Sequence, residues 1–179
     1  MVLRKPGPLV AWFDRTPSYL FRAHLGALAG PRLVMLTTLG RRSGLVRRTV
    51  VEVFAIGPTP EGTGLPVIQV VASRGTRSDW YANALAMGRI RVDWMSRRGR
   101  ADVHRLGLDE RVELLADYTR RHRNAAAMLT KGVLDEPFAG EPAQLRRLAA
   151  EVRALRLVPA SPTGASGGAT QGTDVAPPR

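Results

Sequence analysis

The sequence predicts an α+β fold that is mainly β: a small antiparallel β-barrel of about six strands, with an N-terminal helix, an inserted helix and C-terminal helices. Three observations favour this fold. Short β-favouring runs are joined by turn-rich connections, one helical pattern interrupts them after the third run, and helical patterns flank them at both ends. Because helices do not alternate with the strands, a parallel doubly wound sheet is disfavoured.

The elements follow from local patterns. A helical pattern covers residues 8–29, restarts at Pro17 and ends at Gly30-Pro31. The predicted strands cover residues 32–38, 49–56, 66–73, 89–95, 100–106 and, as a last short strand, 155–158. Turn-rich residues 57–64 and 96–99 predict two hairpins, and the inserted helix begins at Ser78 or Asp79 and ends near Met87. Further helical patterns begin at Asp109 and cover residues 125–129 and 144–155.

Length and composition limit the number of domains and the kinds of chemistry that the chain can have. The 179 residues predict one barrel domain over residues 1–159 and a disordered tail over 160–179, which is rich in Gly, Ser, Thr, Ala and Pro. The absence of cysteine excludes disulfides and thiolate chemistry, and the three histidines lack metal-ligand spacing, so we expect no metal. No apolar run is long enough to span a bilayer and no secretory signal is evident, so we expect a cytoplasmic location.

The formal net charge of +12, carried almost entirely by arginine, predicts an anionic partner. Nucleic acid, an anionic membrane surface and a polyanionic small molecule all fit, and charge alone does not choose among them. The N-terminal amphipathic segment could cover a pocket or rest on the inner membrane face. The oligomeric state, monomer or homodimer, stays open.

The most informative stretch runs from Thr37 to Arg47 (TTLGRRSGLVR), where a strand enters a loop rich in glycine, arginine and hydroxyl side chains. Glycines allow backbone N–H groups to turn toward a ligand, and arginines match phosphate and carboxylate oxygens. The stretch therefore predicts an anion site at one end of the sheet. An ordinary exposed hairpin has a similar composition and is the alternative.

A second basic element, residues 73–77 (SRGTR), follows the third strand. If the first and third strands are close, Arg41, Arg42, Arg47 and Arg74 line one groove; otherwise they form a solvated basic rim. Trp80 follows as core, as a wall for a flat ring, or as both, and we expect Trp12 and Trp94 in the core. The arginine runs at 97–98, 120–123 and 146–147 are interpreted as solvated surface.

Candidates for acid–base catalysis are few. Tyr118 and His122 lie four residues apart on one helical face and could present a proton donor to a pocket, although a surface pair is the alternative. No Ser–His–Asp arrangement, P-loop or carboxylate pair is present. This absence favours a reaction whose chemistry is performed by a bound cofactor.

Three motifs together resemble the deazaflavin (F420)-dependent nitroreductases and quinone reductases of actinobacteria. They are L-T-T-x-G-R-x-S-G-x-x-R over residues 36–47, V-A-S-R-G over 71–75 and W-Y-x-N-x-L-A over 80–86. Their order and spacing agree across roughly residues 33–106. The family has a split β-barrel related to flavin-binding oxidases, in agreement with the predicted strand order.

The resemblance implies that Arg42 and Arg47 hold the phosphate and acidic tail of F420, that Ser73 and Arg74 continue the groove, and that Trp80 and Asn83 flank the cofactor. The implied cofactor-binding residues are Thr38, Arg41, Arg42, Ser43, Gly44, Arg47, Thr49, Val50, Ser73, Arg74, Trp80 and Asn83. Thr49 and Val50 stand near where the family often has proline. Tyr118 is the nearest candidate for the acceptor-pocket tyrosines.

The implied reaction is hydride transfer from F420H2 to a quinone, nitroaromatic or activated enone, with solvent or Tyr118 and His122 supplying the proton. FMN, in an oxidoreductase of the same fold, is the alternative cofactor. A non-catalytic F420-binding protein and, less favoured, a basic nucleic-acid-binding protein are the alternatives from other classes.

Overall fold

The barrel is built from six antiparallel strands that close in the order β1-β2-β3-β6-β5-β4. The structure, a computed structural model, describes residues 30–161. The strands are β1 (Leu33–Leu39), β2 (Val46–Ile56), β3 (Ile68–Ala72), β4 (Arg89–Trp94), β5 (Arg97–Arg105) and β6 (Arg153–Pro159). The predicted fold class is confirmed, and full closure leaves no sheet edge unpaired.

Alternation along the strands fills the barrel. On β1, Val34 and Leu36 point into the interior core, and the β1–β2 register places Val51 and Thr49 opposite them on the same face. The alternate residues of β2, among them Val50 and Glu52, point outward. One face of β2 therefore lines the barrel interior, and the other faces outward.

Four α-helices lie in the described residues: α1 (Asp79–Met87), α2 (Leu108–Arg121), α3 (Arg123–Leu134) and α4 (Pro142–Glu151). The inserted helix α1 begins after Ser78 and ends at Gly88, which has φ +68°. Its Tyr81 and Ala84 are buried in the barrel core. One face of helix α1 therefore packs into the barrel core, while Asp79, Ala86 and Met87 on the helix stay exposed.

A second core lies outside the barrel, where α2, α3 and α4 cover one side of the sheet. Phe54 and Val71 point out of the barrel and join a buried cluster with Leu115 and Leu148. Arg111 is also buried there and donates to the carbonyl oxygens of Ala149 and Leu106, both at 2.8 Å. Burial lowers the pKa of Arg111, and the two carbonyls satisfy its charge by hydrogen bonding.

Several boundaries differ from the prediction. The helical pattern over 144–155 continues too far: α4 ends at Glu151, and β6 begins at Arg153 and closes the barrel between β3 and β5. The reason is that Leu155 and Leu157 alternate into the barrel core, which only an extended chain allows. Strand β2 likewise begins at Val46, because the hairpin register pairs Val46 with Leu39.

Trp94 is buried, as predicted, and its indole N–H donates to the carbonyl oxygen of Pro31 at 2.9 Å. The predicted helix over 8–29, with Trp12, lies outside the described residues, as does the predicted tail beyond Ser161. Within residues 30–161, no helix has the length and apolar character needed to cross a bilayer. The same residues contain no group of three His, Asp or Glu side chains that could hold a metal ion.

Candidate functional site

The loop Gly40–Leu45 joins β1 to β2 and is folded tightly on itself. The N–H of Gly40 donates to the carbonyl oxygen of Leu45 at 2.8 Å, and that of Gly44 donates to the carbonyl oxygen of Gly40 at 2.7 Å. A Cβ at Gly40 would lie 2.6 Å from Ser43 Oγ, and Gly44 has φ +64°. The positive φ therefore requires glycine at position 44, whereas a side chain at position 40 would require the Ser43 hydroxyl to move.

The loop amides correct one part of the sequence interpretation. Gly40, Ser43 and Gly44 donate within the loop, Leu45 donates to Ser43 Oγ at 3.4 Å, and Arg41 donates to Asn83. Arg42 is the loop residue whose amide has no such acceptor among the described residues. The backbone N–H groups thus do not form an anion nest, because the turn uses all of them except that of Arg42, and an anion here would be held mainly by side chains.

Arg41 fastens the loop to helix α1. Its guanidinium donates to Asp79 Oδ1 at 2.9 Å and to Asn83 Oδ1 at 3.1 Å, and its backbone N–H donates to the same Asn83 oxygen at 3.1 Å. Asn83 is buried, and its amide nitrogen has no acceptor among the described residues. Arg41 is therefore occupied internally, while the Asn83 amide nitrogen stays available.

A cavity of about 560 Å³ lies between this loop, β2 and α1. Two of its arginines, Arg42 and Arg47, are exposed and have no hydrogen bond or ion pair with any other described residue. Trp80 is half-buried, packs against the barrel core and forms a flat wall. The lining residues are Gly40, Arg41, Arg42, Ser43, Arg47, Thr49, Asp79, Trp80 and Asn83. We call this space the basic cavity.

Three predicted site residues lie at or near the loop without lining the basic cavity. Thr38 is opposite Arg47 in the β1–β2 register, and its buried hydroxyl has no partner among the described residues. Gly44 shapes the turn, as described above. Val50 is on the outward face of β2, whereas Arg47 and Thr49 are on the inward face. Their predicted roles toward a cofactor stay predictions.

Ser73 and Arg74 lie elsewhere. A single groove of Arg41, Arg42, Arg47 and Arg74 is predicted on the condition that β1 and β3 are close, and in the barrel β2 lies between these two strands. Ser73 and Arg74 line a second cavity of about 410 Å³. Its lining residues, mostly apolar, are Glu52, Phe54, Ser73, Arg74, Tyr118, Ala125, Met128, Leu129, Gly132 and Val133. We call it the apolar cavity.

A short polar network forms the floor of the apolar cavity. Tyr118 is buried, stacks on Phe54 with ring centroids 4.0 Å apart, and donates its hydroxyl to Glu52 Oε1 at 2.7 Å. Arg32 forms an ion pair with the same carboxylate oxygen. Burial, and then the hydrogen bond to Glu52, raises the pKa of Tyr118 well above its ordinary value. His122 is 5.0 Å from Tyr118, centroid to centroid.

Tyr118 and His122 therefore do lie together beside a cavity, but the tyrosine proton is already donated to Glu52. Their catalytic role stays a prediction. Glu52, which accepts the Tyr118 hydrogen bond, is not among the site residues predicted from the sequence. One feature of the sequence could have indicated Glu52: it is a single carboxylate inside a strand of β-favouring residues. Such a carboxylate needs a partner if its neighbours are buried.

Most of the other arginine runs are paired on the surface. Arg120 and Arg121 bind Asp117, Arg146 binds Asp109, and Arg147 binds Glu136. These pairs reduce the number of cations that these runs present to a nucleic acid. Arg42 and Arg47 differ from them because they share a cavity and have no partner within residues 30–161.

Fold and site together define a class: a small closed β-barrel with an arginine-lined cavity at one hairpin. Residues 21–132 match the model of the F420H(2)-dependent quinone reductase family. This match spans more than half of the chain, and the chain belongs to that family. The predicted family is confirmed, and so is the cofactor class, since the family depends on F420H2.

Comparison with solved structures gives a protein of unknown function from Agrobacterium tumefaciens str. C58, at 21% identity and a TM-score of 0.46. The match covers 80% of this chain and 55% of that chain, so this chain spans about half of its length. No curated protein matches the chain.

Proposed function

We propose that this protein is an F420H2-dependent oxidoreductase that reduces a quinone, with nitroaromatics and activated enones as further acceptors. One observation carries the proposal: Arg42 and Arg47 share a cavity and have no partner in the described part of a chain whose family depends on F420H2.

The residues of the basic cavity fit this cofactor. F420 carries a phosphate and an oligoglutamate tail, and guanidinium groups are the side chains that best match such oxygens. Arg42 and Arg47 would hold these groups, the Asn83 amide nitrogen would donate a further hydrogen bond, and Trp80 offers a flat apolar surface. When bound, the reduced deazaflavin supplies a hydride from its C5 carbon.

The chain's own contribution is binding, orientation and exclusion of water. Along β2, Arg47 and Thr49 line the basic cavity, and Glu52 and Phe54 line the apolar cavity. Val50 lies between these two pairs in the chain. We assign the acceptor to the apolar cavity, because its aliphatic and aromatic wall suits a planar uncharged ring. Since that cavity lies on the other face of β2 and a hydride passes only between atoms in contact, this assignment requires the deazaflavin ring to extend past the strand to the apolar cavity. Holding the two reactants in one geometry lowers the entropic part of the barrier.

The proton that completes the reduction comes from solvent or from the Tyr118–His122 pair. Because Tyr118 donates to Glu52 and has a raised pKa, it is a weak acid at neutral pH. It acts as a donor only if the carboxyl of Glu52 returns a proton to it. Solvent is therefore the simpler source.

The test is a titration of the purified protein with oxidised F420, followed by single-turnover oxidation of bound F420H2 by menadione. We expect binding and oxidation by the quinone, then slower oxidation with a nitroaromatic or an enone. FMN, which has a phosphate but no acidic tail, is titrated in parallel and should bind more weakly.

Each contrary result identifies one alternative. Tighter binding of FMN would indicate a flavin enzyme of the same fold. Tight F420 binding without turnover of any acceptor would indicate a non-catalytic binding protein. Absence of F420 binding together with salt-dependent binding of nucleic acid would contradict the proposal entirely.

A further inference from the structure

One face of helix α3 forms a wall of the apolar cavity. Five of its residues line that cavity at the spacing i, i+3, i+4, i+7 and i+8, which keeps them on one side of a helix: Ala125, Met128, Leu129, Gly132 and Val133. Ala125, Leu129 and Val133 also pack against the second core, and this packing holds the helix in place. Met128 and Gly132, one helical turn apart, are exposed. These two residues therefore lie at the mouth of the cavity.

Gly132 leaves free space on this wall. It is the single glycine of α3, and a Cβ at this position would lie more than 4 Å from every described atom outside its own stretch of helix. Inside a helix, glycine is less favourable than any other residue except proline, because it loses the most backbone freedom on folding. No neighbour approaches closely enough to require a glycine here. What glycine provides at this position is room beside the apolar cavity.

The direction of helical side chains places that room over the cavity mouth. The Cα–Cβ bonds of a helix tilt toward its N-terminus, so a side chain at position 132 would extend over Met128 and Leu129. Both of these residues line the apolar cavity. A large side chain at position 132 would thus narrow the mouth from the α3 side. With glycine there, the mouth stays open next to the flexible thioether of Met128, which is 78% exposed.

We propose that Gly132 determines the size of the acceptor, because it leaves the apolar cavity wide enough for a bicyclic quinone whose second ring lies beside Met128. The role of Gly132 rests on the proposed function, since it takes the acceptor to bind in this cavity. The volume of about 410 Å³ is within the range of small-molecule sites. An apolar cavity of this kind selects its ligands by the space that it offers to each carbon atom.

The test compares acceptors of two sizes in single-turnover oxidation of bound F420H2: menadione, which has two fused rings, and 1,4-benzoquinone, which has one. Gly132→Leu should lower the rate constant for menadione at least about tenfold more than that for benzoquinone, since space for even one carbon in an apolar pocket is worth roughly 10- to 200-fold. Gly132→Ala should show a smaller fall in the same direction. The ratio of the two rate constants does not depend on how much F420H2 is bound.

The matched control is Ala127→Leu. It places a side chain of the same size on the same helix, at an exposed position that does not line the apolar cavity. The ratio of the two rate constants should stay as in the unmodified protein. Circular dichroism checks that each variant is folded. Gly132→Ala keeps the size effect measurable if Gly132→Leu fails to fold, because alanine is the better helix former.

Equilibrium dialysis of menadione against the protein without F420 separates this inference from the proposed function. The chain has no cysteine, so menadione finds no thiol to react with. We expect the unmodified protein and Ala127→Leu to bind menadione equally, and Gly132→Leu to bind it at least about tenfold more weakly. That result without turnover of F420H2 would contradict the proposed function and still assign the size of the cavity to Gly132.

Three results would overturn the inference. The first is a ratio of rate constants that Gly132→Leu leaves unchanged. The second is an equal effect of Gly132→Leu and Ala127→Leu, which would trace the change to a general disturbance of α3. The third applies if no quinone is reduced: it is menadione binding that is absent, or that is the same in Gly132→Leu and in the unmodified protein.

Discussion

Strand β2 contributes residues to both the basic cavity and the apolar cavity, but the two cavities differ in how their charged side chains are paired. In the basic cavity, Arg42 and Arg47 have no partner in the described residues. In the apolar cavity, the carboxylate of Glu52 is bound by both Arg32 and Tyr118. Unpaired cations in a cavity favour an external anion, whereas a paired network contributes to the folded state and leaves an apolar wall for an uncharged ligand.

The comparison teaches that one strand can separate two kinds of site. Because side chains alternate along β2, Arg47 and Thr49 lie on one face while Glu52 and Phe54 lie on the other. Changes on the two faces should therefore have different consequences: a loss of affinity on the first and a loss of folding stability on the second.

The largest expected effect is on the basic side. Arg42→Ala/Arg47→Ala should weaken F420 binding by about 10²- to 10⁴-fold, because two charge-assisted contacts of roughly 1.5–3 kcal/mol each are removed. The free energy of unfolding should hardly change, since neither side chain has a partner in the described part of the chain. Isothermal calorimetry and urea unfolding measure the two quantities. Arg123→Ala is the control for lost charge, and equal affinity in both variants would remove the site.

The next effect is on the apolar side and concerns stability. Tyr118→Phe removes a hydrogen bond to a carboxylate and should lower the free energy of unfolding by about 1.5–3 kcal/mol. F420 affinity should change little. Tyr81→Phe, at a buried tyrosine with no carboxylate partner in the described residues, is the control.

The same variant has a pH signature. Burial, followed by the Glu52 hydrogen bond, raises the pKa of Tyr118 above its ordinary value of 10.0. The folded state therefore holds this proton more tightly than the unfolded state does, so the stabilisation is full below about pH 10 and is lost as the pH rises further. Urea unfolding between pH 8 and pH 11 should show a shallower alkaline decline in Tyr118→Phe. An identical decline in both proteins would contradict this network.

Arg74→Ala tests whether a bound cofactor reaches from the basic cavity to the apolar cavity. We expect F420 binding to weaken by about 10- to 100-fold, through one charge-assisted contact, if a bound cofactor extends from the basic cavity to Arg74. The same titration measures it. Unchanged affinity would confine the cofactor to the basic cavity and contradict the assignment of the acceptor to the apolar cavity.

The smallest expected effect comes from the contact that holds the loop on α1. Asn83→Ala removes the acceptor of two Arg41 hydrogen bonds and should weaken F420 binding by about tenfold, through a less ordered loop and a lost amide donor. Asn83→Asp keeps the acceptor oxygen for Arg41 and removes the amide donor. Full affinity in Asn83→Asp would assign Asn83 to loop positioning alone, and loss in both variants would indicate contact with the cofactor.

Much of the fold was predictable because local patterns carry it. The alternating runs in β1 and β4 and the helical pattern of α1 each predict which of their own residues are buried. The three family motifs lie in or next to β1, β3 and α1. The end of α4 was not predictable, because residues 152–155 satisfy a helical pattern as well as a strand. Only the barrel edges of β3 and β5, which need a strand between them, decide that choice.

The sequence by itself determined the antiparallel barrel, the basic hairpin loop and the family, since these depend on residue type and spacing along the chain. The tertiary structure alone decided which arginines are neutralised and which are not. Arg41 is paired with Asp79 and Asn83, which are 38 and 42 residues away, and Arg74 is on the far side of β2. Ion pairs and hydrogen bonds form over a few ångströms in space, a distance that spacing along the chain does not encode.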